Sequence, residues 1–167
     1  MYKELKELGW RHLYTGKASE ILIKEDKVIK FYSKDVKIYD CEPLVDLKHL
    51  PEVPNLIAYE TNQYAMMEYI EGCPMNKCSS GELERMIPLI LSYFDKCCEA
   101  GWIPNKLSLH HFIWNHKKGL RVIDFTRYLK INNMSKQLKE MIIKREKESI
   151  LNQINQEIER RVTFKYA

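Results

Sequence analysis

"IPNKLSLHHFIWNHKKGLRVIDF", residues 103–125, is the stretch whose reading decides the fold. Phe112 to Trp114 and Arg121 to Asp124 have the composition of two short strands, and "NHKKG" between them is a basic turn ending in glycine. The second strand closes on Asp124, directly after the apolar Val122 and Ile123. A carboxylate leaving an apolar run is costly unless a cation meets it, so Asp124 is the first candidate site residue.

Upstream of this stretch, the sequence predicts a helix from Ser79. Ser79-x-x-Glu82 has the spacing of a capping box, and Met86, Leu89, Ile90, Tyr93, Phe94 and Cys97 form one apolar face up to Gly101. Pro88 lies inside it, removes one backbone donor, and is expected to kink the helix or delay its start. Downstream, Ser135 to about Val162 reads as a highly charged helix with Met141, Ile142, Ile150, Leu151, Ile154 and Ile158 on a repeating face.

The first seventy residues change period. Ile21 to Ile23 and Val28 to Tyr32 form a hairpin turning at Glu25-Asp26, and Leu56 to Tyr59 with Tyr64 to Tyr69 form another turning at Thr61-Asn62. Between them Ser33 is a candidate N-cap for a helix carrying Ile38, Cys41 and Val45, which Pro43 either kinks or begins. Gly72 ends the sheet-rich part.

Composition narrows the classes. The chain has 167 residues, enough for one domain or two small lobes around a cleft but not for two independent domains. Apolar residues make up 45% and no run reaches the roughly 18 that a membrane span needs, so a membrane protein is not expected. The N-terminal "MYKELKELGW" lacks the apolar core of a secretion signal, and five cysteines give no disulfide framework, so a cytoplasmic location is expected. A net charge of +4, from 27 basic and 23 acidic residues interspersed, does not by itself point to nucleic acid.

Taken in order, a glycine-bearing turn, the lysine ending "KVIK", an acid-bearing helix, "MMEYIEG", a long helix and "VIDF" resemble the protein-kinase-like superfamily over roughly residues 10–130. The likeness is greatest to its small, atypical bacterial and archaeal members. It implies an α+β kinase-like fold in a single domain over 1–167. The small antiparallel-sheet N-lobe would be 1–70, the linker 71–78, and the reduced helical C-lobe 79–167. It also implies ATP and Mg²⁺ as cofactors. A cation must sit on the phosphates, a carboxylate on the metal, and a carboxylate must receive or orient the substrate hydroxyl.

On that resemblance Lys30 is the phosphate-pairing lysine and Asp124 the metal ligand, with Thr126 in place of the usual glycine after Asp-Phe. Glu42, or else Asp40, is the acid expected to pair with Lys30. Gly16 is what remains of a glycine-rich loop, Tyr14 and Ser19 standing where two more glycines would be. The backbone of Glu68, Tyr69 and Ile70 would meet an adenine ring. Counting back from Asp124, and forward from Gly101, puts Lys106 at the catalytic-acid position and His111 at the metal-binding asparagine position. An ammonium cannot accept a proton, and hard Mg²⁺ prefers oxygen to imidazole. A shift by one residue offers Asn105 and His110, which restores neither role.

Three functions follow for testing. The leading expectation is a pseudokinase that works by binding an unidentified partner protein, with or without nucleotide. The second is an atypical phosphotransferase acting on a protein or small molecule, since phosphoryl transfer depends mainly on positioning and electrostatics. The third is nucleic-acid binding through Lys136, Lys139, Lys144, Arg145 and Lys147, a face diluted by Glu140, Glu146 and Glu148. A zinc site from Cys73, Cys78, Cys97, Cys98, His110 and His111 is the weakest expectation, because its spacing is poor for zinc.

Overall fold

The computed structural model describes residues 2–16, 19–33 and 41–165. After α1 (Tyr2–Glu7), the N-terminal lobe is built on β1 (Arg11–Thr15), β2 (Ser19–Lys24), β3 (Lys27–Tyr32), β4 (Leu56–Glu60) and β5 (Tyr64–Glu68). These form one sheet in the order β1-β2-β3-β5-β4, with antiparallel neighbours. Both expected hairpins are present. Their turns place Glu25 and Asn62 at φ of 53° and 63°, the left-handed conformation that tight turns demand.

Strand alternation decides what faces the second lobe. On β3, Ile29 pairs with Leu22 and packs with Trp10 on the outer face, where Leu5 of α1 lies against the cluster. Val28, Lys30 and Tyr32 therefore project to the opposite, inner face. The period of two is what aims the Lys30 side chain into the cleft rather than into solvent.

Helix α2 (Cys41–Asp46) crosses below the sheet with Pro43 within it, and Leu44 and Leu47 are fully buried beneath the sheet. The C-terminal lobe then contains β6 (Cys73–Pro74), α3 (Ser80–Glu99), β7 (Trp102–Ile103), β8 (Phe112–Asn115), β9 (Gly119–Val122), β10 (Leu129–Lys130) and α4 (Lys136–Lys165). Helix α3 has the capping box at Ser79 and Glu82 and buries Leu83, Met86, Ile90, Tyr93, Phe94 and Cys97. Pro88 neither delays nor ends it. The helix starts at Ser80 and runs through the proline, the packed apolar face outweighing one missing hydrogen bond.

The main core is continuous between the lobes, from Leu44, Ala65 and Met67 to Met75, Phe94, Phe112 and Phe125. Polar contacts join them too. The Val122 N–H donates to the Glu52 carbonyl at 2.8 Å, Lys96 meets the Glu52 carboxylate at 2.6 Å, and the Trp102 indole donates to Asp46 at 3.0 Å. At Gly72 the linker backbone, at φ 151°, presses on β8. A Cβ there would lie 2.4 Å from the Trp114 carbonyl oxygen and 2.6 Å from an Ile113 methyl. Gly72→Ala is therefore expected to cost about 2 kcal/mol or more, read as a lowered urea midpoint at unchanged slope.

No helix among the described residues is long and apolar enough to cross a membrane. The cysteines are free, and no cluster of three or more His, Cys, Asp or Glu side chains among the described residues could hold a metal ion. Cys97 packs inside the core on α3, and burial pushes its thiol up to about 12, the opposite of what a zinc thiolate needs.

Candidate functional site

The cleft lies between the inner face of the sheet and the β8–β9 hairpin. Its apolar part is a slot of about 200 Å³. Ile21 and Val28 form the roof, Met67 and Ile70 one side, and Ile113 and Ile123 the floor. Lys30 stands at one end. The slot is smaller than the roughly 300–1,000 Å³ of most small-molecule sites. A flat ring fits it better than a whole nucleotide.

Lys30 and Asp124, 94 residues apart, meet there. Lys30 Nζ is 3.3 Å from Asp124 Oδ1, and the lysine is 9% exposed. The same Oδ1 accepts the Thr126 N–H at 3.2 Å and the Thr126 hydroxyl at 2.8 Å. Burial pushes the Asp124 carboxyl up, but the Lys30 charge, His111 and the Thr126 bonds together outweigh it and hold the acid below its ordinary value. The cationic partner expected for an acid at this strand end is thus Lys30.

His111 approaches from the other side, its Nε2 3.5 Å from Asp124 Oδ2. The Ser108 N–H donates to its Nδ1 at 3.2 Å, which makes Nδ1 an acceptor and leaves the ring proton on Nε2. Burial lowers the His111 pKa to about 4, with His110 and Lys30 adding to the effect against the pull of Asp124. At neutral pH the ring is uncharged.

Lys106 is exposed and takes a left-handed backbone, φ 54°. Its N–H donates to Glu146 Oε2 at 2.7 Å, and the Leu107 carbonyl accepts from Gln153 at 3.2 Å. Both partners belong to α4, which ties down the loop that would carry the chemistry. Glu146 is buried and bonded also by Arg145, while Lys147 pairs with Asp95 and Lys144 with Glu148. Much of the basic face of α4 is internally neutralised.

Glu42 is 61% exposed and pairs with Lys130 at 3.3 Å, so it is not the carboxylate beside Lys30. Pro43 and Leu44 turn inward on this short helix and leave the neighbouring Glu42 facing solvent. Asp40, the other candidate, lies outside the described residues. Gly16 donates its N–H to the Ser19 carbonyl at 2.8 Å, and a Cβ added to it would lie 2.9 Å from the Tyr14 ring. Its donor is thus engaged in the turn rather than offered to a phosphate.

Glu68 has its backbone at the slot but sends its carboxylate behind the linker. There it meets Arg121 at 2.9 Å and Lys118 at 2.9 Å, and an Asn55 N–H donates to it at 3.3 Å. Burial would raise this acid, but those partners bring it down to about 2. Tyr69 N–H donates to the Asp26 carbonyl at 2.7 Å. Ile70 lines the slot, and among the described residues its backbone N–H and carbonyl carry no hydrogen bond.

Thr126, Arg121 and Glu146 are the residues that sequence reasoning missed. Thr126 had a local signal, since Asp side chains commonly accept the N–H two residues on. Arg121 had another, a charge inside the apolar run "GLRVI". Glu146 had none, lying among equally charged neighbours.

No family model matches the chain, and no curated protein matches its sequence. Solved structures do match. WbdD superposes with a TM-score of 0.58 at 15% identity, over 81% of this chain and 37% of WbdD. A second WbdD structure, described as a bifunctional kinase-methyltransferase, gives 0.55 at 15% identity, over 81% and 38%. Rv3197 from Mycobacterium tuberculosis, in complex with erythromycin, gives 0.59 at 12% identity, over 72% and 46%. The chain spans less than half the length of these neighbours. At such identities the likeness establishes architecture alone: this chain has an α+β, protein-kinase-like fold.

Proposed function

We propose that this chain is a kinase-shaped, nucleotide-binding protein whose catalytic loop does not perform phosphoryl transfer, and that it works by presenting this shape to a partner protein. One observation carries the reading. Lys30 and Asp124 close on each other at the end of an apolar slot, while the position that should receive the substrate proton is the exposed Lys106, its backbone tied to Glu146. Binding parts are assembled and the proton acceptor is absent. An ammonium at that position cannot act as general base.

Ile70 supports the nucleotide half, offering a free backbone donor and acceptor beside the slot where a base would lie. Asp124 Oδ1 already accepts three hydrogen bonds, and His111 Nε2 lies 3.5 Å from Oδ2. With one carboxylate and an imidazole beside it, these groups fit a magnesium centre poorly.

The test is thermal unfolding with ATP or ADP, in wild type and in Ile123→Trp, which fills the slot floor from a partly exposed position. A ligand at a hundred times its Kd stabilises by about 2.7 kcal/mol, several degrees for a chain of this size. That shift is expected in wild type and not in Ile123→Trp. ATP turnover is expected at the same background rate in wild type and Asp124→Ala. A wild-type rate well above that of Asp124→Ala would establish a working phosphotransferase instead.

A further inference from the structure

We propose that Cys73 and Cys78 form a redox pair: exchange with a low-molecular-weight disulfide joins them in an intramolecular bond that staples the linker to the start of α3. The proposal is independent of the nucleotide reading.

The fold brings the two thiols together. Cys73 opens β6, which pairs with β8 at Trp114, and Cys78 directly precedes the Ser79 N-cap of α3. Between them Met75–Lys77 make a 3₁₀ turn, which the Cys78 N–H closes on the Met75 carbonyl at 3.1 Å. Both sulfurs then meet one acceptor. The Pro74 carbonyl oxygen is 3.6 Å from Cys73 Sγ and 3.5 Å from Cys78 Sγ, and Cys78 Sγ is also 3.5 Å from the Cys73 carbonyl oxygen. Arg161 of α4 holds the same turn from outside, donating to the Asn76 carbonyl at 2.8 Å. A backbone fixed on both sides leaves little chain entropy to lose when the two sulfurs bond. Cys97 and Cys98 have no such arrangement, being consecutive on α3, where neighbouring side chains diverge by about 100°.

Exposure divides the roles. Cys73 is half-buried, whereas Cys78 is 1% exposed. Burial, then the hydrogen bond and the charge of Cys73, push the Cys78 thiol up to about 12, so Cys78 is held protonated and the accessible Cys73 is the attacking sulfur. The Cys73 thiolate attacks one sulfur of the small disulfide. A bond forms between them, the old S–S bond breaks, and the leaving thiolate takes up the proton that Cys73 gave up. Cys78 then loses its proton and attacks the Cys73 sulfur; the Cys73–Cys78 bond forms, and the second small thiol leaves with that proton. Two protein thiols are oxidised and one small disulfide is reduced to two thiols. In the mixed disulfide Cys73 carries no charge to oppose ionisation of Cys78, and the Arg161 guanidinium favours it. Gly72 and Pro74, on either side of Cys73, line the apolar slot, so the bond forms at its wall.

The experiment equilibrates the full chain in glutathione buffers of graded oxidised-to-reduced ratio, quenches with acid, and reads intact mass and linked peptides. Wild type is expected to lose two hydrogens and no more, with Cys73 joined to Cys78 and the remaining cysteines reduced. Cys78→Ser is expected to stop at a glutathione adduct on Cys73, and Cys73→Ser to leave Cys78 unmodified. Both variants are checked for folding by their own unfolding transitions, and the wild-type result decides alone where a variant does not fold. In the folded chain the bond is expected to form at a ratio at least about tenfold more reducing than in concentrated urea, because the fold holds the sulfurs together. A glutathione adduct on Cys73 that persists in wild type, a bond to Cys41, Cys97 or Cys98, or equal midpoints in buffer and in urea overturns the proposal. So does a chain whose thiols stay reduced at every ratio.

Discussion

Glu68→Ala is expected to lower the stability of this chain by about 3–5 kcal/mol, a fall in Tm on the order of 10 °C, larger than for most single substitutions. The reason is the residue it abandons. Arg121 is 6% exposed, its Nη2 bonds Glu68 at 2.9 Å and the Val53 carbonyl at 3.2 Å, and among the described residues its Nε has no hydrogen-bond partner. Without Glu68 a buried guanidinium loses its counter-charge, and that loss exceeds anything the exposed Lys118 contributes.

A paired substitution separates this account from simple loss of packing. Glu68→Ala combined with Arg121→Met removes both charges, so the double variant should be more stable than Glu68→Ala alone. Acid titration gives a second check. Glu68 sits at about 2 in the folded chain, below its ordinary 4.5. Its contribution is fully present above that ordinary value and is lost as pH falls through the folded one. Urea unfolding at neutral pH is the measurement; a loss below about 1 kcal/mol for Glu68→Ala would remove the clamp from the explanation.

The clamp also shows where sequence reading stopped. Period and turn chemistry made the two N-lobe hairpins legible, because alternation on β3 sorts Val28 and Lys30 from Ile29 and Phe31 without reference to the rest of the chain. The helix after Ser79 was legible for a similar reason, its capping box being local. Asp124 could be singled out because a carboxylate after Val122-Ile123 conflicts with its surroundings. Its partners were legible unequally. Lys30 followed from a family resemblance, whereas nothing in residues 103–125 says that His111 lies beside Asp124.

Glu42 shows the opposite failure. A helix placed between β3 and β4 needs only a short segment, and residue spacing could not tell which acid on it faces the cleft. The structure resolves this through Pro43 and Leu44, which take the inward positions and leave Glu42 with Lys130. Glu68 closes β5, and only the tertiary position of Arg121 shows that its side chain turns away from the slot that its backbone borders. Long-range pairings such as Glu146 with the Lys106 N–H, 40 residues apart, leave no local trace.

His111 is the second large effect, and pH reveals it. The folded chain holds this imidazole at about 4, driven first by burial, whereas an unfolded histidine titrates near 6.5. Between those values the unfolded state binds a proton that the folded state refuses. Stability is therefore full above pH 6.5 and declines as pH falls toward 4, by about 2 kcal/mol at pH 5 and about 3 kcal/mol at pH 4. Asp124 does not compete in this window: its folded value lies below 3.8, so its contribution disappears only at lower pH. His111→Asn keeps a polar group in the same place but removes the titration. Urea unfolding at pH 7.5 and pH 5.0 should then show wild type losing about 2 kcal/mol more than His111→Asn across that interval. Equal losses would mean that the ring takes up its proton freely in the folded chain, and that the Ser108 N–H does not hold Nδ1 as an acceptor. The acid slope thus reads the burial of one ring, held beside Asp124 by the hydrogen bond that its Nδ1 accepts from Ser108.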